Sequence, residues 1–404
     1  MNKLCGRALP RVLFVLFTAA ISVFCGTKSH AQTADIHVTI GYLERIVPPP
    51  PVLSNLDPVP EDEGIQGARL GVADNATTGK FLGQKFELVE ASAESDDAFL
   101  AAGAGLLGQT PFLIVDAPAE LLLALSRLPE AEHAILFNIS AADTSLRSES
   151  CSANILHTIP SRAMLADALS QFAVKKRWTR WAIISGDRPS DQLFAEALRN
   201  SAMKFRLELV GEKTWKFDAD MRRSAGSEVP LFTQDFPDHD LLVVADEAND
   251  FGRYVPYNTW LPRPVGGSEG ITPSGWSASV EEFGAAQLQS RFREMASRGM
   301  RAVDYVGWLA ARAIGEAVTR TGNADAGALR DYLLSDEFQL AGFKGRPLTF
   351  RKWNGQMRQP IPLTHPHAVV LQAPVEGFLH RRNELDTLGL DYRESGCSAF
   401  GYRE

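Results

Sequence analysis

The chain has 404 residues and carries 41 Lys plus Arg against 49 Asp plus Glu, a formal net charge of −8. Hydrophobic residues make up 45% and charged residues 22%, a globular balance that excludes a disordered or collagen-like chain. The length suits two domains. The acidic balance argues against binding to nucleic acid or to anionic membranes, because both need a basic face.

Residues 1–31 have the pattern of a secretory signal peptide. Basic residues precede the apolar run Val12–Cys25, and small residues at 29 and 31 give a cleavage site. The run is short for a membrane span and Lys28 closes it, so the pattern favours export to the periplasm over a membrane anchor. Lipid attachment at Cys25 is a weaker alternative, because the bulky Phe24 precedes this cysteine.

Cleavage of this segment would leave two cysteines, Cys151 and Cys397. Two cysteines in an oxidising compartment suggest one disulfide. Two unpaired thiols are the alternative.

Short apolar or alternating runs predict strands, and longer runs between them predict helices. The predicted strands are 37–43, 85–90, 112–115, 134–139, 181–185, 207–212 and 241–245. The predicted helices are 64–73, 97–107, 119–127, 164–176 and 192–203, followed by a long helical region over 281–320. Residues 343–391 are richer in proline and glycine and are predicted as strands and loops. This alternation predicts an α/β fold with parallel sheets flanked by helices.

The sequence contains none of the motifs that mark common catalytic or cofactor sites. It has no phosphate-binding or dinucleotide-binding glycine pattern, no G-x-S-x-G elbow, and no HExxH or CxxC zinc pattern. We therefore expect no cofactor, no metal and no enzymatic activity.

Ligands of open α/β sheets bind beyond the carboxyl ends of the strands. The residues in this position are Asp116, Ala117, Asn138, Ser140, Asp246 and Glu247. Carboxylates there suit an ammonium group or a hard cation. For Asp246 and Glu247, capping of a following helix is an equal alternative.

Two further residues complete the candidate site. Glu269 lies between glycines in the run 266–270 and has no obvious helix to cap, which favours a contact with ligand. Tyr254 begins the aromatic run 254–260, which could form an apolar wall over a small ligand. Packing between domains is the alternative for these aromatic residues.

Several segments resemble a known family. Residues 64–73 (GIQGARLGVA) and 83–90 (GQKFELVE) resemble the first helix and second strand of type I periplasmic solute-binding proteins of the branched-chain amino-acid family. Residues 265–270 (VGGSEG) resemble the turn whose acidic residue, here Glu269, meets the ligand's ammonium group. The resemblance implies two α/β lobes joined by a hinge that the chain crosses three times. Lobe one would comprise 35–150 and 275–340, and lobe two 151–274 and 341–404.

A narrower resemblance rests on six short segments: HTIPS (157–161), ADE (245–247), WLPRPV (260–265), GFKG (342–345), RQPI (358–361) and GFLH (377–380). They are similar to ABC-transporter substrate-binding proteins associated with PQQ-dependent alcohol catabolism. The resemblance implies a monomer that traps a small solute between its lobes and delivers it to an inner-membrane permease. A sensory or accessory binding protein, or an enzyme acting on an alcohol-derived substrate, are the alternatives.

One departure from the family bears on the ligand. The amino-acid binders place small hydroxyl residues after the third strand to hold the α-carboxylate, whereas this chain has Asp116 and Ala117. An aspartate there would repel a carboxylate. An amine, a neutral alcohol-derived molecule or a metal ion therefore fits the acidic strand ends better than an α-amino acid.

Overall fold

A computed structural model describes residues 35–48, 59–216 and 221–402, and the predicted signal peptide lies outside these ranges. The strands are β1 (Ile36–Arg45), β2 (Gln84–Ala93), β3 (Phe112–Asp116), β4 (Ile135–Asn138), β5 (Ile155–His157), β6 (Arg180–Gly186), β7 (Glu208–Trp215), β8 (Leu241–Ala245), β9 (Val265–Gly267), β10 (Thr272–Pro273), β11 (Leu340–Ala341), β12 (Pro347–Phe350), β13 (Met357–Arg358), β14 (Ile361–His365) and β15 (Ala368–Ala373). The helices are α1 (Ile65–Leu82), α2 (Asp96–Leu107), α3 (Ala119–Ser126), α4 (Arg162–Lys176), α5 (Pro189–Lys204), α6 (Met221–Thr233), α7 (Ala285–Ala296), α8 (Ala302–Thr321) and α9 (Ala326–Leu333).

Two parallel sheets organise the chain. Sheet A has the strand order β2-β1-β3-β4-β5, and sheet B has the order β7-β6-β8-β9. Every strand pair within these two sheets is parallel. Strand β8 is buried along its whole length, as expected for a parallel sheet covered by helices on both faces. The predicted α/β fold with two mostly parallel sheets is confirmed.

Helices α1 and α8 cover one face of sheet A and approach each other unusually closely. A Cβ on Gly67 of α1 would lie 1.7 Å from the carbonyl oxygen of Asp304 in α8, so only glycine fits there. The same approach lets the Asp304 carboxylate accept the Gly64 N–H at 2.9 Å. This contact fixes the amino end of α1 beside the strand ends of sheet A.

The structure contains β5 and α9, which were not predicted, and it differs from the predicted elements in two further regions. The helical region predicted over 281–320 is divided into α7 and α8, because Ser297 takes a left-handed conformation with φ of 56° and ends α7. Helix α6 was not predicted, and Pro230 lies inside it. A proline within a helical pattern normally indicates a helix end.

Strand β5 bears on the predicted lobe bounds, which remain a prediction. It lies within residues 151–274, the range predicted as the first part of lobe two, yet it pairs with β4 in sheet A. The connecting segments that leave the two sheets lie side by side: the Gln359 amide donates to the Thr158 carbonyl at 2.7 Å. The Ser274 N–H donates to the Pro362 carbonyl at 3.1 Å.

The predicted disulfide is present. Cys151 and Cys397 are bonded, with their Cα atoms 5.6 Å apart, which excludes the alternative of two free thiols. Cys151 lies between β4 and β5, so the bridge ties the C-terminal segment to the loops of sheet A. No helix within the described ranges is both long enough and apolar enough to cross a membrane.

Candidate functional site

The carboxyl ends of β1 and β3 bring two acidic side chains together. Glu44 and Asp116 are register partners on these neighbouring strands. The Tyr42 hydroxyl lies 3.5 Å from Asp116 Oδ2, to which it donates. Burial, and then the nearby Asp116 charge, raise the pKa of Glu44 to about 7. Burial also raises the pKa of Asp116, although hydrogen bonds from Ser140 and Tyr42 oppose this shift.

The next candidate residues tie the loop after β3 to the loop after β4. The Ala117 N–H donates to Ser140 Oγ at 2.9 Å, and this hydroxyl donates back to the Ala117 carbonyl at 3.1 Å. Asn138 is fully buried, and its Oδ1 accepts the N–H groups of Ser140 and Ala141. These residues therefore shape the edge of sheet A from within, and Asp116 is the charged group among them.

On sheet B, Asp246 organises the loop that follows β8. Its Oδ1 accepts the Asp250 N–H at 3.0 Å, and its Oδ2 accepts the N–H groups of Phe251 at 2.9 Å and Gly252 at 2.6 Å. The side chain is only 3% exposed. This arrangement favours the capping interpretation of Asp246, because both oxygens hold backbone groups at the start of a short helix.

Glu269 and Tyr254 lie close to the Asp246 loop. A Cβ on Gly252 would stand 2.9 Å from Glu269 Cγ and 3.0 Å from Asp246 Oδ2, so the two acidic side chains flank this glycine. Tyr254 ends the short helix that begins at Gly252 and is half-buried. The structure thus places Asp246 and Glu269 beside Gly252 at the carboxyl edge of sheet B, whereas Tyr254 packs against the hydrophobic cluster of this sheet.

Arg162 links the edges of the two sheets. Its Nη2 donates to Glu247 Oε2 at 2.7 Å, and its Nε donates to both oxygens of the same carboxylate. Its Nη1 forms an ion pair with Asp143 Oδ2 at 3.1 Å. Asp143 follows β4 of sheet A, whereas Glu247 follows β8 of sheet B. The guanidinium group of this residue, the first of α4, therefore connects the carboxyl edges of the two sheets. Glu247 has a charged partner.

Sequence reasoning missed four residues at these edges: Tyr42, Glu44, Asp143 and Arg162. Glu44 was within reach of the strand-end rule, but the predicted first strand stopped at Leu43, before this residue. Arg162 directly follows the HTIPS segment and carried no pattern of its own. Its partners Asp143 and Glu247 lie 19 residues upstream and 85 residues downstream in the chain.

The raised pKa of Glu44 predicts a pH effect on stability. The ordinary pKa of a glutamate side chain is 4.5, and the pKa of Glu44 in the folded protein is about 7. Between these values the folded chain holds a proton that the unfolded chain has lost, so Glu44 makes the free energy of unfolding fall as pH rises. We expect Glu44→Gln to remove this contribution. Relative to Glu44→Gln, the melting temperature of the wild type should then drop between about pH 5 and about pH 7.5.

Glu87→Gln provides a matched control for this measurement, because Glu87 is an exposed glutamate on the adjacent strand β2. It should leave the pH dependence unchanged. A difference between wild type and Glu44→Gln that stays constant with pH would contradict the assignment.

Two further observations concern a cavity and the possible metal ligands. A cavity of about 660 Å³ lies at the opposite, amino-terminal edge of sheet A, beside Ala134 and Asn154, and none of the candidate residues lines it. Across residues 35–48, 59–216 and 221–402, no three His, Cys, Asp or Glu side chains converge as a metal site requires.

The chain is similar to known proteins both at the level of a protein family and at the level of solved structures. Residues 61–223 match the model of a family described as "Periplasmic binding protein". No curated protein matches the sequence at a significant level.

Solved structures match over most of the chain. A branched-chain amino-acid ABC transporter periplasmic ligand-binding protein from Burkholderia xenovorans is 17% identical with a TM-score of 0.69, covering 90% of this chain and 100% of that one. A solute-binding protein of an ABC transporter from R. palustris, in complex with benzoate, is 12% identical with a TM-score of 0.63, covering 90% and 99%.

A leucine-, isoleucine-, valine-, threonine- and alanine-binding protein from Brucella ovis, in a closed conformation, is 12% identical with a TM-score of 0.62, covering 81% of this chain and 88% of that one. At such identities the likeness concerns the fold. Two parallel sheets flanked by helices, joined by Arg162 at their carboxyl edges, give this chain the type I periplasmic binding protein fold.

Proposed function

We propose that this protein is a periplasmic substrate-binding component of an ABC transporter, which captures a small solute between its two lobes. The observation that carries the proposal is the Arg162 contact, because it joins the loop after β4 to the loop after β8. Ligands of open α/β sheets bind beyond these strand ends. Closure of two lobes around a solute needs no bond chemistry.

The charge around the candidate site supports a ligand that carries no carboxylate. Two basic side chains at these edges already have acidic partners: Arg45 pairs with Asp96 at 2.8 Å, and Arg188 pairs with Asp250 at 2.5 Å. Arg162 is shared by two carboxylates. Glu44 and Asp116, in contrast, lie side by side without a basic partner among the described residues. We propose that an amine or a neutral alcohol-derived molecule is favoured over an α-amino acid.

Isothermal titration of the mature protein tests this choice. A primary amine without a carboxylate should bind, because its ammonium group favours the ionised form of Asp116, whereas a ligand carboxylate disfavours that form. Leucine should show no micromolar binding. Asp116→Asn should weaken amine binding about tenfold or more, the equivalent of about 1.4 kcal/mol. Asp97→Asn is the control, since Asp97 is an exposed aspartate on α2. Micromolar affinity for leucine would overturn the proposed ligand class.

A thermal-shift screen over amines, short alcohols, aldehydes, acids, amino acids and di- and trivalent cations widens the search. A binder raises the melting temperature with the logarithm of its concentration over its dissociation constant. A substance that both shifts the melting temperature and gives a saturable titration would identify the solute.

Two other functions share this fold and are separated by assay. A sensory or accessory protein would bind the same solute, but deleting the permease would leave its biological effect intact, whereas a transport protein would lose uptake. An enzyme acting on an alcohol-derived substrate would convert that substrate during incubation. We propose transport, because the sequence has no nucleophile, cofactor or metal motif.

We further propose that the solute belongs to PQQ-dependent alcohol oxidation, which the six segments from HTIPS to GFLH support by their resemblance. Export through residues 1–31 and action as a monomer are part of the same proposal. N-terminal sequencing of the exported protein tests cleavage after residue 31. Growth of a deletion strain on short alcohols, compared with growth on succinate, tests the metabolic link.

A further inference from the structure

The end of the chain, here named the C-terminal strap (residues 385–400), contacts elements of both sheets. Leu388 is fully buried in the hydrophobic cluster of α4 and sheet B. The Gly389 N–H donates to Asp167 Oδ2 at 2.8 Å, and Asp167 belongs to α4. The ammonium group of Lys204, the last residue of α5, donates to Asp167, to the Gly389 carbonyl and to Glu394. The strap is therefore anchored to the helices that flank sheet B.

The same strap is anchored to sheet A a few residues later. The Ser395 hydroxyl donates to the Arg147 carbonyl at 2.7 Å, and the Gly396 N–H donates to Ser148 Oγ at 2.9 Å. Cys397 is then bonded covalently to Cys151, in the connection between β4 and β5. Beyond the disulfide, the ring of Phe400 packs against the hydrophobic cluster that includes the strands of sheet A.

The distance between the two anchors is short along the chain. Glu394 accepts a hydrogen bond from Lys204, and Cys397 follows Glu394 by three residues. Three residues span at most about 10 Å when fully extended. A motion that moves α5 away from the Cys151 loop beyond the combined reach of these three residues and the anchoring side chains must break either the Lys204 contacts or the disulfide.

We infer that the strap restrains the opening of the two lobes and that the Cys151–Cys397 disulfide switches this restraint on. With the bridge closed, the strap stays at a high effective concentration beside Lys204, so that its contacts with sheet B reform quickly. With the bridge reduced, the covalent anchor to sheet A is lost and the lobes open further. The inference rests on the proposed hinge motion, but its first test requires no ligand.

The first test measures the distance between the lobes in the free protein. Phe81 at the end of α1 is 79% exposed and Met203 on α5 is 67% exposed, so both accept fluorophores on non-natural amino acids, which leaves the native cysteines intact. Single-molecule energy transfer should show a broader distribution, shifted to longer distance, after treatment with a phosphine reductant. Cys151→Ser with Cys397→Ser should reproduce the shift.

Further variants separate the strap from a general loss of stability. Glu394→Gln keeps the disulfide but weakens the Lys204 anchor, so it should broaden the distribution less than reduction does. Glu376→Gln is the matched control, because Glu376 is exposed and has no partner in the described part of the chain. If the double serine variant does not fold, reduction of the folded wild type still decides. Identical distributions before and after reduction would overturn the inference.

A second test follows once a solute is identified. An open state that is more populated lowers the apparent affinity in proportion to the lost closed fraction. Reduction should therefore raise the dissociation constant, while Glu376→Gln should not. If a solute binds but the distance distribution does not change on reduction, the strap inference fails and the proposed function stands. If no solute binds but reduction widens the distribution, the strap inference stands and the proposed function fails.

Discussion

Replacing Arg351 with methionine should lower the free energy of unfolding by about 2 to 5 kcal/mol, because buried carbonyl groups lose their donors at a cost of about 1 to 3 kcal/mol each. Arg351 is only 1% exposed, and its Nε donates to Asp386 at 3.0 Å. Its remaining N–H groups donate to the carbonyls of Leu385, Leu388 and Leu390. The substitution would remove the donor from the carbonyls of Leu388 and Leu390, whereas the Leu385 carbonyl would still accept the Leu388 N–H. Arg358 would keep its own bonds to Asp386.

Urea unfolding followed by circular dichroism measures this loss. Arg381→Met is the control, because Arg381 is exposed in the segment that precedes the strap and should change stability by less than about 0.5 kcal/mol. Arg351→Lys should fall between the two, since an ammonium group keeps the charge but not the planar fork of donors. Equal stability of Arg351→Met and wild type would contradict this account of the strap's attachment.

Removing the disulfide should cost about as much. Cys151 and Cys397 are 246 residues apart, so their bond closes a long loop in the unfolded chain. In the loop-entropy model, such a cross-link stabilises the folded state by about 5 kcal/mol. The expected result is a lower unfolding midpoint in urea for Cys151→Ser with Cys397→Ser.

A reductant supplies the internal control for this comparison. It should lower the midpoint of the wild type to that of the double serine variant, and it should leave the double variant unchanged. An unchanged midpoint for the reduced wild type would show that the bridge contributes nothing to stability.

The sequence predicted the fold well because the strands of the parallel sheets have a strong signal. Runs such as Phe112–Val115 and Leu241–Ala245 are continuously apolar, since helices cover both faces of these sheets. Strand β5 has only three residues and helix α6 contains Pro230, so neither carried a signal of comparable strength. Helix α9 was not predicted either.

The candidate site was predictable in position but not in partnership. Strand ends indicated Asp116, Asp246 and Glu247 from the sequence alone. What the sequence lacked was the set of contacts that divides their roles. Asp246 holds backbone N–H groups, Glu247 meets Arg162, and Asp116 lies beside Glu44. Such pairings depend on side chains from distant segments, which periodicity and spacing do not encode.

The position of the disulfide also constrains how the molecule is assembled after synthesis. Cys397 follows Cys151 by 246 residues, so Cys151 emerges long before its partner during synthesis. A growing chain folds from its N-terminal part first, so sheet A can form while Cys151 still has no partner. The bridge can therefore close only after all strands of sheet A have been synthesised. In a translation product truncated before residue 397, Cys151 could not form this bridge.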